Sequence, residues 1–270
     1  MKATVLVDNI SDNNLISEWG LSIYIEYGEK KILLDTGASS KFNRNAEKMG
    51  IDLSQVDIGV LSHAHFDHAD GMQEFFRINN KAKFYLRQGS KENCYSRKIF
   101  IPAYIGIKKG TLKRFGDRIQ FVGGDYVISE GISLIPHKTD ELDKIGKTNA
   151  MYIRQNRKWV PDNFTHEQSL IFQTEKGLVI FNSCSHAGAD LVIQEAANTY
   201  PGKKIYALIG GFHLYGLSQE KVHTLAGRIR ETGVEKVYTG HCTGEKAFQV
   251  LKDDLGDTIS QLKTGLVITL

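Results

Sequence analysis

The feature that most constrains this chain is a short run of histidines and an aspartate, H-x-H-x-D-H, that begins at His63. It follows an apolar stretch, residues 57–61, whose composition predicts a short strand. His63 and His65 are two residues apart at the end of that strand, so their imidazoles are expected to point to the same side. Asp67 and His68 come where the chain turns and are expected to face a second point nearby. Three imidazoles and a carboxylate this close would repel on protonation, so the sequence predicts that all four residues bind metal.

The ligand types narrow the choice of metal. Imidazole and carboxylate suit Zn, Mn and Fe, and imidazole favours the transition metals. We expect one or two divalent metal ions, with Zn first and Mn or Fe as alternatives. A solvated polar turn is the structural alternative, and it leaves the crowding of the imidazoles unexplained.

The composition is that of a globular protein. The 270 residues are 41% hydrophobic and 24% charged with a net charge of +3, which excludes wholesale disorder and does not favour a nucleic-acid partner. The three cysteines form no C-x-x-C pair, which is typical of a reducing compartment. No apolar run long enough for a membrane helix is found, and no secretory signal fits the first residues. We expect a cytoplasmic protein with no membrane partner, and a homo-oligomer stays open.

Short β-branched runs alternate with helical patterns along most of the chain. Strands are predicted at residues 4–7, 21–27, 31–34, 57–61, 83–86, 169–174, 178–182, 205–209, 236–238 and near 258–270. Helices are predicted at residues 39–49, 71–78, 190–198, 219–232 and near 245–251. Each half opens with a hairpin and continues with strand–helix alternation, which predicts two mixed sheets covered by helices.

The middle of the chain, about residues 88–160, is irregular, aromatic and basic. Residues 91–118 alone carry a charge of +6, which leaves −3 for the rest. We expect a single domain, residues 1–270, in which this stretch is an insertion. The basic segment fits a solvated face, a wall for an anionic substrate or an RNA contact, and these alternatives stay open. Within it, Lys108 and Lys109 are the predicted substrate contacts.

The histidine motif, preceded by Leu-Asp-Thr-Gly at residues 34–37, resembles the metallo-β-lactamase superfamily. The resemblance implies an α/β (α+β) fold, the αββα sandwich of two mixed β-sheets flanked by helices, with a one- or two-metal site at the sheet edge. Further stretches resemble the dihydropterin–ribofuranosylaminobenzene phosphate synthase-like group of that superfamily. They are WGLS at 19–22, EQSL at 167–170, CSHAG at 184–188, GGFHL at 210–214 and GHCTG at 240–244.

The resemblance extends the ligand set. It implies that His241, after the predicted strand at 236–238, is a second-site ligand, and that His186 is a first-site ligand. Many members of the superfamily carry a bridging aspartate where this chain has Asn-Ser-Cys at 182–184, which puts the second metal or its bridge in question. Cys184 is either a thiolate bridge or an inert buried thiol. His166 is either a ligand or another residue near the site, or else a surface-loop histidine.

The remaining roles follow from the same resemblance. His213, within its glycine-rich turn, is the predicted proton donor or substrate contact, and Asp67 is assigned to catalysis as well as to the metal. Asp35 is expected to accept a hydrogen bond from a metal-binding histidine rather than to bind metal itself.

The activity implied is that of a metal-dependent enzyme acting on a small anionic, phosphorylated substrate. In the synthase-like case the metals hold a diphosphate leaving group while an arylamine attacks a pterin methylene carbon, in methanopterin-type biosynthesis. The alternatives are a hydrolase of a phosphoester, ester or lactone, and a nucleic-acid processing hydrolase.

Overall fold

A computed structural model describes residues 1–11, 14–97 and 101–270. Lys98 and Phe100 of the basic segment therefore lie outside the described residues. The strands, in chain order, are β1 Lys2–Val7, β2 Ser22–Tyr27, β3 Lys30–Leu34, β4 Ile58–Val60, β5 Lys83–Arg87, β6 Cys94–Ser96, β7 Ala103–Tyr104, β8 Ile119–Val122, β9 Tyr126–Ser129, β10 Ile132–Pro136, β11 Met151–Gln155, β12 Lys158–Pro161, β13 Gln168–Thr174, β14 Gly177–Phe181, β15 Ile205–Gly210, β16 Lys236–Thr239, β17 Ile259–Gln261 and β18 Val267–Thr269.

The α-helices are α1 Lys41–Lys48, α2 Phe66–Ala69, α3 Met72–Ile78, α4 Thr111–Arg114, α5 Leu142–Thr148, α6 Ala189–Thr199, α7 Gln219–Glu231 and α8 Glu245–Leu255. Short 3₁₀ turns lie at Leu53–Gln55, Gly116–Arg118, His241–Thr243 and Gly256–Thr258. In the part of the chain that the structure describes, no helix is both long and apolar enough to cross a bilayer.

The chain divides into two compact units. The first comprises Met1–Gly123, Asp140–Glu167 and Lys263–Leu270, and the second comprises Gly124–Thr139 and Gln168–Leu262. The single domain expected from the sequence stays a prediction.

The first unit contains a seven-stranded sheet in the order β18-β1-β2-β3-β4-β5-β8. The β2–β3 hairpin is antiparallel, and β3, β4, β5 and β8 run parallel. Helices α1 and α3 bury Phe42 and Phe75 against sheet residues such as Leu33 and Phe84. Because a parallel strand needs apolar cover, this packing explains the apolar run that the sequence shows before the histidine motif.

The second unit repeats this pattern in the order β17-β16-β15-β14-β13-β10-β9. Strands β9, β10, β13 and β14 are antiparallel, whereas β14 to β17 are parallel. Helices α6, α7 and α8 bury Ile193, Leu225 and Leu251 against Leu178 and Leu208 of the sheet. The prediction of mixed sheets covered by helices is confirmed within each unit.

The irregular reading of the middle segment is wrong. Strands β12, β11, β6 and β7 form a third, antiparallel sheet in that order within the first unit. The strands are two to five residues long and mostly half-exposed, so they lack the alternation that marks a strand with one buried face. Backbone pairing joins these strands, and on one face the guanidinium carbons of Arg97 and Arg154 lie 5.1 and 5.0 Å from the Trp159 ring centre, within cation–π distance.

Candidate metal centre

The histidine motif lies in the first unit, where the chain leaves β4 and enters the one-turn helix α2. His65 precedes that helix with an extended backbone, and Asp67 and His68 belong to the helix. The side chains of His63, His65, Asp67 and His68 are buried. Five residues separate the end of β4 at Val60 from the start of α2 at Phe66, and the turn that they make brings His63 and His65 next to the side chains of the helix.

These four side chains converge. The ring centre of His63 lies 4.6 Å from that of His65 and 4.2 Å from that of His68. Asp67 Oδ2 lies 4.0 Å from His68 Nε2. The four predicted first-motif ligands therefore occupy one buried place, with nitrogen and carboxylate donors a few ångströms apart, and their role as ligands stays a prediction.

Asp35 determines which ring nitrogen of the motif histidines carries the proton and which keeps a lone pair. Its carboxylate accepts the Ser62 N–H at 2.7 Å, the Ser62 hydroxyl at 2.7 Å and His68 Nδ1–H at 2.8 Å. The expectation that Asp35 accepts from a histidine of the motif is confirmed. A carboxylate can only accept, so His68 carries its proton on Nδ1 and keeps a lone pair on Nε2.

The same argument extends to His63. Ser62 gives its one hydroxyl proton to Asp35, so its oxygen must accept from His63 Nδ1, which lies 2.9 Å away. His63 then also keeps its lone pair on Nε2. Asp35 and Ser62 thus hold two imidazoles in the tautomer that a metal ligand needs. Sequence reasoning missed Ser62, whose only signal is its place beside the motif.

Backbone hydrogen bonds clamp helix α2 from separate segments. Leu21 N–H donates to the Asp67 carbonyl at 3.2 Å, Thr36 N–H to the His68 carbonyl at 2.8 Å, and Phe66 N–H to the Ile105 carbonyl at 2.9 Å. A Cβ on Gly20 would lie 2.6 Å from the Asp67 carbonyl oxygen, so this approach requires glycine.

His166 is buried, and the surface-loop reading of this residue is wrong. Its Nδ1 accepts the Ala64 N–H at 3.2 Å, and its Nε2 lies 3.0 Å from Asp162 Oδ2. Burial raises the pKa of Asp162, but the neighbouring His166 outweighs it and lowers that pKa to about 2. Both ring nitrogens of His166 are engaged, so this residue positions the backbone between His63 and His65. Asp162 was missed, although the D-x-x-x-H spacing was visible.

The second unit collects another group of predicted site residues. Cys184 and His186 follow β14, His213 follows β15, and His241 follows β16. The ring centres of His186 and His213 are 4.7 Å apart, and donor atoms of Cys184, His241 and Cys242 lie within 4.8 Å of one another. The predictions that His186 and His241 bind metal stay predictions.

Cys242 is a residue that sequence reasoning missed. Its Sγ lies 3.3 Å from Cys184 Sγ and accepts the His213 N–H at 3.2 Å. Burial raises the pKa of the Cys242 thiol, but the hydrogen bond with Cys184 and the neighbouring His241 hold it well below its usual range. A positive φ at Gly210, where a Cβ would overlap the Asn182 carbonyl, lets these loops approach.

The two predicted substrate contacts, Lys108 and Lys109, are exposed. Lys108 N–H donates to Asp70 Oδ1 at 2.8 Å, and Lys109 Nζ lies 5.1 Å from the Tyr104 ring centre. Burial raises the pKa of Asp70. The contact of Lys108 and Lys109 with substrate stays a prediction.

Residues 20–193 match the family model described as the metallo-beta-lactamase superfamily, and the chain belongs to that superfamily. A 7,8-dihydropterin-6-methyl-4-(beta-D-ribofuranosyl)-aminobenzene-5'-phosphate synthase of Methanocaldococcus jannaschii is 30% identical over 269 residues, covering 93% of this chain and 90% of its own. The crystal structure of Tm1679, described as a metal-dependent hydrolase of the beta-lactamase superfamily, is 29% identical with a TM-score of 0.86, covering 100% of this chain and 99% of its own. A diphosphatase of the PhnP family, 15% identical with a TM-score of 0.56 over 100% of this chain and 97% of its own, shares the fold.

The predicted resemblance and fold class are therefore confirmed. Membership of this superfamily implies binding of divalent metal, and the first unit offers imidazole and carboxylate donors for it.

Proposed function

We propose that this protein is a metal-dependent enzyme that joins a dihydropterin to a ribofuranosylaminobenzene 5'-phosphate, the reaction class in the name of its Methanocaldococcus relative. The observation that carries the proposal is 30% identity over 93% of the chain. The substrate would be small and anionic, as the sequence predicts.

The donor set of the first unit fits a divalent metal. His63 and His68 present Nε2, as the hydrogen bonds of Ser62 and Asp35 require, and Asp67 adds a carboxylate next to His68. Nitrogen donors with one carboxylate suit Zn first, with Mn or Fe as alternatives. We propose His63, His65, Asp67 and His68 as ligands, together with His186 and His241. When bound, one or two such ions supply Lewis-acid polarisation of an anionic oxygen.

Other side chains of the protein would orient the ligands and exchange protons with the substrate. Asp35 keeps His68 in one tautomer, and His166 holds the Ala64 N–H between His63 and His65. Nδ1 of His213 is buried and has no hydrogen-bond partner among the described residues. This unpartnered nitrogen supports the proposal that His213 exchanges a proton with a substrate group, such as the arylamine nitrogen that loses a proton when a C–N bond forms.

A hydrolase is the second candidate, because Tm1679 resembles this chain along its full length and is described as a metal-dependent hydrolase. Hydrolysis would need the same polarisation of an anionic oxygen, so the ligands alone favour neither reaction. A nucleic-acid processing hydrolase remains the third candidate because of the basic segment.

One comparison of substrates tests these candidates. The metal-loaded protein is assayed with dihydropterin diphosphate plus the ribosylated arylamine phosphate, and separately with a generic phosphodiester. We expect a coupled product from the first pair. No coupled product together with turnover of the phosphodiester would refute the transferase and favour the hydrolase. RNA affinity that falls steeply with log salt would favour the third candidate.

A further inference from the structure

Two cysteine thiols meet in the second unit, beyond the carboxyl ends of its parallel strands. Cys184 follows β14, and Cys242 lies in the 3₁₀ turn after β16. Both side chains are buried and both thiols are reduced. Their Sγ atoms are 3.3 Å apart, so a disulfide bond would require the two atoms to approach by only about 1.3 Å.

The order of the strands does not by itself bring these thiols together. Strand β15 lies between β14 and β16, so the ends of β14 and β16 are about 10 Å apart. The loops that carry the cysteines therefore meet beyond the end of β15, where the chain has two glycines. A Cβ on Gly211 would lie 2.5 Å from Cys242 Sγ. The two sulfurs can meet because this position has no side chain.

Hydrogen bonds hold both loops against the segment after β15. Gly211 N–H donates to the Ser183 carbonyl at 2.8 Å, and Tyr215 N–H donates to the Cys242 carbonyl at 3.1 Å. His213 N–H donates to Cys242 Sγ at 3.2 Å. A cross-link between the two cysteines would thus join segments that are already ordered, so its formation costs little conformational entropy.

The backbone next to the thiols is strained. Ser185, His213 and His241 have positive φ angles of 46°, 50° and 49°. Ser185 adjoins Cys184, and His241 adjoins Cys242. For residues other than glycine, such a conformation costs on the order of 1–3 kcal/mol and is concentrated in active sites and switch regions. A movement of the two sulfurs would act directly on this backbone.

We propose that Cys184 and Cys242 are a modification site, which a hydroperoxide oxidises to a reversible disulfide, and that this disulfide weakens metal binding by the loops that carry His186 and His241. One thiol attacks the peroxide and becomes a sulfenic acid, and water or an alcohol leaves. The second thiol then displaces water from the sulfenic sulfur, which forms the disulfide. A dithiol reductant restores both thiols by exchange and is itself oxidised to a disulfide. The effect on metal rests on the ligands of the proposed function, whereas the cross-link does not.

Mass spectrometry of the intact, metal-loaded protein tests the cross-link. Hydrogen peroxide is the oxidant, because the thiols are buried and this molecule is hardly larger than water. After treatment, the remaining thiols are alkylated in denaturant. We expect one alkylated cysteine, Cys94, instead of all three cysteines of the chain, and a cross-linked peptide pair that joins Cys184 to Cys242. Treatment with dithiothreitol should restore all three thiols. Cys94→Ser is the matched control, since Cys94 belongs to the first unit and its loss should leave the cross-link intact.

Competition with a chelator tests the effect on metal. We expect the affinity to fall at least about tenfold after peroxide, the lower end of the effect of disturbing a group that orients a ligand, and to recover after reduction. Cys242→Ser should abolish this response. Gly211→Ala is a second variant that keeps both thiols, and its Cβ should hold them too far apart to bond.

The inference would be overturned if peroxide gave no cross-link between Cys184 and Cys242, or if the cross-linked protein kept its metal affinity. A response to peroxide that persists in Cys242→Ser would overturn it as well. Failure of the proposed function looks different. A reduced protein that forms no coupled product, yet loses metal affinity when the disulfide forms, keeps the modification site and loses the synthase.

Discussion

Replacing Asp35 by Asn tests the hydrogen-bond chain that sets the ring tautomers. Asn has nearly the same shape and tolerates the positive φ of 58° at this position, so the backbone is not strained. The carboxylate accepts three hydrogen bonds, two on Oδ2 and one on Oδ1. An amide has only one acceptor oxygen, so in the Asp35→Asn variant the NH₂ group takes the place of either Oδ1 or Oδ2.

Either orientation of the amide is costly. If the NH₂ group faces Ser62 N–H, two buried donors oppose each other, which costs about 1–3 kcal/mol of stability. If it faces His68 Nδ1, the imidazole must accept there and move its proton to Nε2, the atom proposed to bind metal. We therefore expect metal affinity to fall about 10- to 100-fold, the usual effect of losing a partner that orients a ligand.

The assay is competition with a chelator of known affinity, combined with urea unfolding of the metal-free protein. The matched control is Asp57→Asn, which removes a carboxylate bonded to Lys31 N–H and Lys81 at the edge of the same unit. It should leave metal affinity unchanged. If Asp35→Asn kept wild-type metal affinity, the tautomer argument would be refuted.

Three further outcomes are expected. His65→Ala should remove most of the bound metal measured by elemental analysis, whereas His223→Ala, at an exposed position, should not; equal metal content would contradict the ligand assignment. Glu195→Gln should destabilise the protein by about 1–3 kcal/mol near neutral pH. Burial raises the pKa of Glu195, but its contacts with His137 lower it overall, so the stabilisation is present above the unfolded value of about 4.3 and is lost as pH falls through the lower folded pKa. Urea unfolding from pH 3 to 7 should show the two curves converge in acid, and parallel curves would exclude this linkage. Gly227→Ala, in helix α7 with open space around it, should raise the free energy of unfolding by about 0.4–1 kcal/mol. Gly210→Ala should lower it by more, because the new Cβ would overlap the Asn182 carbonyl. Thermal unfolding of both variants measures the two effects.

The sequence predicts the regular parts of this fold well, for identifiable reasons. Helix α1 was expected over residues 39–49 and runs over Lys41–Lys48, because its apolar residues recur at helical spacing and Gly50 follows it. Helix α7 agrees for the same reason. The small sheet was missed because its strands carry aromatic and basic side chains on half-exposed faces, a pattern that sequence alone does not separate from a loop.

The first-motif residues were predictable because strand geometry and a turn bring near neighbours together. The partners of these residues were harder to find. His166 accepts a hydrogen bond from Ala64, which is 102 residues away in the sequence, and no local sequence pattern predicts such a contact. Cys242 next to His241 was overlooked because a buried thiol resembles any small apolar residue.

The clamp on helix α2 has a consequence for engineering. Residues 105–107 pair with the motif itself, since Phe66 N–H donates to the Ile105 carbonyl and Ile107 N–H to the Ala64 carbonyl at 3.2 Å. The middle segment of the chain therefore supplies part of the backbone around the histidines. Loop grafting between relatives, a common route to new specificity, would here also exchange backbone that pairs with the proposed metal ligands. A graft that keeps residues 105–107 would separate substrate choice from ligand geometry.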